Sequence, residues 1–238
     1  MNILAIGAHP DDVELNCAGT LAKYAALGHK VFIATATSGN IGSATLPKEE
    51  IAAVRKAEAA KSAAIIGAEY LCLDYDDELF YEDVSVRIAF INLVRHCRPH
   101  IILTHNPHDY NPDHMLTSKI VTDIEVMLPI AKIKTEEAPW EVMPQVYFFE
   151  PAKGLGFVPT DYVDITEQFE TKCRMLLCHE SQKQWMADNY AGFSADDTFI
   201  EDMKITSAYR GMQCGVKYAE GFIRCGDAYK MTAQRLLP

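Results

Sequence analysis

The chain has no Cys-x-x-Cys pair, no block of like charge, no apolar run of about 20 residues and no Gly-x-Gly-x-x-Gly after its first apolar run. Each absence removes a class. Without clustered Lys and Arg, and with a formal net charge of −11 and a pI near 5.1, there is no footprint for nucleic acid or for a polybasic membrane contact. Without a long apolar run there is no transmembrane helix, and the opening Met1-Asn2-Ile3-Leu4-Ala5-Ile6-Gly7 lacks the basic start of a secretory signal, so the expected address is cytoplasmic. Without the glycine fingerprint a dinucleotide-dependent oxidoreductase is disfavoured. The cysteines at 17, 72, 97, 173, 178, 214 and 225 are odd in number and mostly sit in apolar runs, so they read as reduced. No repeat or low-complexity linker divides the chain, and residues 1–238 read as a single domain. What remains is a chain with 49% hydrophobic and 23% charged residues, suited to small-molecule chemistry on one large core.

Short apolar runs alternate with helical patterns. Strands are expected over Ile3 to Ala8, Val31 to Thr37, Tyr70 to Leu73 and His100 to Thr104, with helices from about Leu15 to Gly28, from Pro47 to Gly67 and from Val84 to Cys97. Strands separated by helices imply a parallel sheet, and right-handed crossovers place helices on both faces: an α/β, Rossmann-like, doubly wound architecture with a mostly parallel sheet. Beyond Thr117 the pattern predicts a helix to about Leu128, an exposed insertion from Lys132 to Pro144, strands at Val146 to Glu150 and Tyr162 to Ile165, two more helices and a last strand near Tyr218 to Arg224.

In such a sheet ligands bind outside the carboxyl ends of the strands. Two polar clusters fall there: His9-Pro10-Asp11-Asp12-Val13-Glu14 after strand one, and His105-Asn106-Pro107-His108-Asp109-Tyr110-Asn111-Pro112-Asp113-His114 after the strand ending at Thr104. With Pro10 at the first helical position, His9 and Asp12 stand three residues apart on neighbouring turns and can share an ion, which leaves Asp11 free as a base. A third ligand has to come from the second cluster, where His105, His108 and His114 are all available. A helix cap would account for an Asp after a strand, but caps do not require His. A receiver-type phosphate-responsive module also carries adjacent acids after strand one; this chain is too long for that alone, and its His residues suit zinc better than magnesium.

Ala8-His9-Pro10-Asp11-Asp12-Val13-Glu14, then Gly19-Thr20-Leu21, and later Pro112-Asp113-His114 with Thr117, resemble the PIG-L/LmbE family of zinc-dependent N-acetylglucosaminyl deacetylases. Arg55-x-x-Glu58, His179-Glu180-Ser181-Gln182 and Tyr218-Ala219-Glu220-Gly221-Phe222 extend the resemblance over nearly the whole chain. It implies that His9, Asp12 and His114 bind zinc, that Asp11 is the general base toward a metal-bound water, and that Arg55 lies near the substrate's sugar hydroxyls. It also implies a small-molecule N-acetylated amino-sugar substrate and allows a homo-oligomer. One position departs: the family's usual His two residues before the Asp of Pro-Asp-His is Asn111, which can donate a hydrogen bond but cannot shuttle a proton near neutral pH. Asn111 or His108 is then the expected oxyanion donor. The substitution also raises the alternative of a catalytically silent zinc-containing sugar-binding protein. Asp113 is expected either to orient a ligand imidazole or to cap the helix after Pro112. Apart from the resemblance, Arg55 reads as part of a solvated helix face, and Ser38 to Ala44 as a loop positioned to cover substrate.

Overall fold

Alternation along the central strands divides the core into two layers. The computed structural model describes residues 1–189, 198–226 and 236–238. β1 (Asn2–Gly7), β2 (Lys30–Thr37), β3 (Glu69–Tyr75), β4 (Ile101–Thr104), β5 (Gln145–Phe149), β6 (Asp161–Asp164) and β7 (Ala219–Arg224) form one sheet in the order β3-β2-β1-β4-β5-β7-β6. Ile3, Ala5, Ile33, Ile101 and Leu103 face one layer, and Leu4, Ile6, Phe32, Ala34 and Ile102 the other. Strands buried on both faces read as continuous apolar runs, which is why β1, β2 and β4 were legible.

The helices are α1 (Asp12–Ala26), α2 (Lys48–Ala64), α3 (Val84–Cys97), α4 (Pro112–Ile124), α5 (Phe169–Leu176), α6 (Glu180–Asn189) and α7 (Thr198–Cys214). Residues of α1 and α5 pack in the first layer and residues of α3 and α4 in the second, so helices cover both faces as expected. The sheet is mostly parallel, with β5 parallel to β4 and β7 alone running antiparallel to its neighbours β5 and β6. Two details differ from the sequence reading. α4 starts at Pro112 with Asn111 rather than Asp113 as its cap, and proline is tolerated at its first position. Three helices rather than two precede β7, as α5 stops at Leu176 and α6 starts at Glu180.

The expected exposed insertion is partly anchored. Arg95, 1% exposed, donates to the carbonyls of Leu128, Ile133 and Ile130 and to the Thr135 hydroxyl, holding the segment onto α3. All seven cysteines are free, and five are buried. Among the described residues no helix is long and apolar enough to cross a membrane.

A buried ion pair fixes α1, the helix that carries the first polar cluster, against the far side of the sheet. Glu220 of β7 accepts the backbone N–H groups of Gly19 and Thr20 at 2.9 and 2.7 Å and Lys172 Nζ at 2.6 Å. Gly19 also lets Ile165 pack against α1, since a Cβ there would lie 2.8 Å from the Ile165 side chain. Removing one partner of such a pair strands the other charge in a low-dielectric interior. Lys172→Met is therefore expected to destabilise the fold by about 3 kcal/mol in urea unfolding; an unchanged midpoint would show that the backbone donors alone satisfy Glu220.

Candidate metal centre

After β1 the chain goes on to β2, whereas β4 lies on the other side of β1, so the carboxyl ends of β1 and β4 frame the crevice where the strand order reverses. The turn leaving β1 is stitched to both neighbours: Ala8 N–H donates to His105 Nε2 at 2.9 Å, and Ala8 C=O accepts from the backbone and hydroxyl of Thr37. Pro10 is not the first helical residue. Asp11 has φ 115° and ψ −25°, outside the helical region, and α1 begins at Asp12. His9 and Asp12 therefore meet across a turn, with His9 N–H donating to Asp12 Oδ2 at 2.6 Å and Asp12 N–H to His9 C=O at 3.3 Å.

His9, Asp12 and His114 converge, all nearly buried. His9 Nδ1 lies 3.3 Å from His114 Nε2 and 3.4 Å from Asp12 Oδ2, and His114 Nε2 lies 3.3 Å from Asp12 Oδ1. Ligands about 2.0 to 2.2 Å from a tetrahedral ion stand about 3.3 to 3.6 Å from one another, so this spacing fits one cation at the centre. Two further donor groups overlap with this one, His105 with Asp109 and His114, and His9 with Asp77 and Glu78. His105 is tied up differently: its Nε2 accepts the Ala8 amide hydrogen, so its lone pair is spent, and its 3.2 Å approach to Asp12 Oδ2 is not an ion pair. Burial, aided by His114, pushes His105 down to about 4, and its neutral ring stacks on His114 with centroids 3.9 Å apart.

The remaining ring nitrogens face carboxylates. His9 Nε2 is 2.9 Å from Asp77 Oδ1 and 3.5 Å from Asp113 Oδ2, and His114 Nδ1 is 3.1 Å from Asp109 Oδ1, yet neither nitrogen is aligned for a hydrogen bond. Burial opposes charge on both rings, but the surrounding acids prevail: Asp113, Asp12 and Asp77 hold His9 well above its ordinary value, and Asp12 and Asp109 raise His114 to about 9. Asp12 is the converse, penalised by burial but held well below the usual carboxylate range by His114 and His105.

Asp11 turns the other way. Burial raises it to about 6 against the pull of Arg55, whose Nη2 is 3.6 Å from Asp11 Oδ1. Arg55 is 3% exposed, so the solvated-face reading is wrong: it donates to the carbonyls of Pro10 at 2.7 Å and Gly39 at 3.2 Å, and its Nη1 is 3.8 Å from Asp77. Gly39 is required there, with φ 65° and no room for a Cβ, which would sit 2.2 Å from Arg55 Nη1.

The other residues singled out in the sequence divide. Asn111 lies at the centre's edge but its side chain is committed: Oδ1 accepts Asp113 N–H at 2.7 Å and His114 N–H at 3.3 Å as the cap of α4, and Nδ2 donates to Glu78 at 2.8 Å. The expected oxyanion donor is thus holding two loops together. His108 is exposed and belongs to none of the donor groups. Asp113 does not cap α4; its Oδ2 accepts Glu78 N–H at 2.7 Å beside His9. Asp77 and Asp109 were missed. Asp76-Asp77 is an acid pair just past β3, the same signal as Asp11-Asp12 past β1, and would have pointed to Asp77.

The family profile described as GlcNAc-PI de-N-acetylase (PIG-L) matches residues 4–125. Diacetylchitobiose deacetylase of Thermococcus kodakarensis is 26% identical over 231 residues, covering 92% of this chain and 81% of the relative. Two solved structures share the fold: N,N'-diacetylchitobiose deacetylase from Pyrococcus horikoshii, with TM-score 0.80, 23% identity and 94% and 83% of the two chains covered, and 4-carboxy-2-hydroxymuconate hydratase from Pseudomonas putida KT2440, with TM-score 0.81, 22% identity and 99% and 100% covered.

The electrostatics make a testable demand on the metal-free chain. A His whose pKa is raised stabilises the fold fully below its unfolded value of 6.5, and that contribution is lost as pH rises through the folded value, about 9 for His114. Asp11, raised from 3.8 to about 6, acts in the same sense in a lower window. After chelation the urea midpoint is expected to fall as pH rises from 6.5 to 9, and a divalent ion is expected to abolish the fall, because ligands bind deprotonated. A flat profile in chelator would refute this account of the cluster.

Proposed function

Because the chain belongs to the PIG-L family, we propose that it is a zinc-dependent hydrolase that removes an N-acetyl or related N-acyl group from an amino sugar or amino-sugar conjugate. The observation that carries the reading is a buried His9, Asp12 and His114 trio with the Asp11 carboxylate beside it, turned to a different partner. The deacetylase activity named for the Thermococcus relative supports it. We read the 238 residues as one domain and the expected compartment as the cytoplasm.

His9, Asp12 and His114 would hold the ion, and two imidazoles with one carboxylate are a donor set that suits zinc with a fourth position open. When bound, zinc polarises an acyl carbonyl and lowers the pKa of a water from about 15.7 towards about 7. Asp11 takes the proton of the attacking water on its carboxylate; raised to about 6, it is ionised near neutral pH yet close enough to that pH for efficient transfer. It then returns the proton to the departing amine nitrogen, and acetate and the free amino sugar leave. Arg55 keeps Asp11 charged and braces its turn through Pro10 C=O; being buried, it acts on substrate through those neighbours rather than by direct contact with sugar hydroxyls. Asp77 and Asp113 orient His9, and Asp109 orients His114, through the ring nitrogens that face away from the ion. His105, neutral and fixed by the Ala8 amide, walls the site without moving protons.

The second reading, a silent zinc-containing sugar-binding protein, is favoured by one fact: the side chain of Asn111 is spent on the α4 cap and on Glu78. Acetate release separates the two. Zinc-loaded protein is expected to deacetylate at least one member of a panel of N-acetylglucosamine, diacetylchitobiose and N-acetylglucosaminyl conjugates. Asp11→Asn is expected to keep its zinc and lose about 10²- to 10⁴-fold in rate, and His114→Ala to lose zinc by elemental analysis. No acetate from the zinc-loaded protein, with release restored in Asn111→His, would establish the silent reading. Asp77→Asn tests the orienting role, with zinc affinity expected to drop about 10- to 100-fold in a competition titration; unchanged affinity would reduce Asp77 to a loop contact.

A further inference from the structure

The buried charged centre has an apolar rim that the chemistry above does not use. Tyr110 is 73% exposed, yet its ring centroid lies 5.6 Å from that of His114 at 73°, edge to face. Its neighbours on both sides are pinned. The Asp109 carboxylate is buried, accepts Asn111 N–H at 3.2 Å and faces His114, while Asn111 caps α4. The backbone at Tyr110 is therefore held while the ring remains uncovered. Through the Asn111–Glu78 and Glu78–Asp113 hydrogen bonds the same turn is tied to the segment after β3, which exposes Leu79 and Tyr81.

An uncovered aromatic ring on a fixed backbone, beside a centre that would act on an amide, suits a ligand with an apolar face close to that amide. A pyranose carries such a face in its ring C–H groups, and burying them against an aromatic ring removes apolar surface from water on both partners. We propose that Tyr110 is the sugar-stacking residue of this site, selecting cyclic amino sugars over acyclic N-acyl amines. The proposal rests on the amino-sugar reading for its ligand and goes beyond it in naming the contact that recognises the ring.

The test measures binding by calorimetry on zinc-loaded protein carrying Asp11→Asn, which removes turnover. The probes are methyl N-acetyl-β-glucosaminide and the acyclic N-acetylethanolamine. Tyr110→Ala is expected to weaken sugar binding about tenfold, the effect of uncovering one ring face, while Tyr110→Phe stays within about twofold of the parent. N-acetylethanolamine binding and zinc content are expected to be unchanged in both. Sugar binding untouched by Tyr110→Ala, equal loss for both probes, or no measurable sugar binding by the parent would overturn the proposal. Tyr110→Phe behaving like Tyr110→Ala would also overturn it, since the hydroxyl rather than the ring face would then be the contact. The two readings fail separately: ring-dependent sugar binding with no acetate release by the wild-type protein sinks the deacetylase and keeps the stacking residue, and acetate release with binding indifferent to Tyr110 does the opposite.

Discussion

The left-handed backbone of Asp11 is the constraint on which the centre depends. At φ 115° a non-glycine residue costs on the order of 1 to 3 kcal/mol, and such a conformation persists only where surrounding contacts over-determine it. Those contacts are present: the Ala8 amide on His105, the Ala8 carbonyl on Thr37, the His9 amide on Asp12 and the Pro10 carbonyl on Arg55. The conformation separates two adjacent carboxylates. Asp12 faces the imidazoles and is held ionised, while Asp11 faces Arg55 and is raised toward neutrality. Had both acids followed one another in helical conformation, their side chains would still diverge, but the turn that brings Asp12 back onto the His9 amide would be lost.

The imidazoles are set against each other in the same way. His105 and His114 stack at 3.9 Å, and two cations that close in a buried site would repel strongly. The structure resolves the conflict by giving the rings different partners. His105 accepts a backbone N–H and is kept neutral, whereas His114 sits between Asp12 and Asp109 and is driven up. A single divalent ion bound by His9, Asp12 and His114 would replace the protons that the acids now retain on the rings, the ordinary competition between metal and proton for the same lone pairs.

Much of this was legible in sequence and some was not, for reasons that separate local from tertiary information. The double winding of β1 to β4 could be read because buried parallel strands are apolar on both faces, and the switch point between β1 and β4 follows from that order. The two His/Asp clusters could be read because they stand at strand ends. The reversed direction of β7, antiparallel to both β5 and β6, carries no local signature, since pairing direction is set by the connection. Arg55 looked solvated because its helix neighbours Lys56 and Glu58 are polar, and nothing local reveals that the loop carrying Gly39 folds over it. The Arg55-x-x-Glu58 and His179-Glu180-Ser181-Gln182 motifs gain meaning only together: Glu58 accepts both the amide and the hydroxyl of Ser181, fastening α6 onto α2.

Asn111 shows how one substitution can be structural and chemical at once. Asn is among the strongest helix caps, and here one side-chain oxygen serves two backbone donors while the amide nitrogen holds Glu78. Glu78 has a positive φ of 61°, so the segment after β3 depends on that clamp to keep Asp77 against His9. An imidazole could replace the proton chemistry missing at this position but has no geometry for accepting from two consecutive amides and donating to Glu78 together. Asn111 thus supplies a rigid loop, and rigidity is what an orienting carboxylate at Asp77 and an uncovered ring at Tyr110 both require. On the proposed reading the site would recognise its ligand by fixed shape at the rim, with Asp11 alone handling the proton.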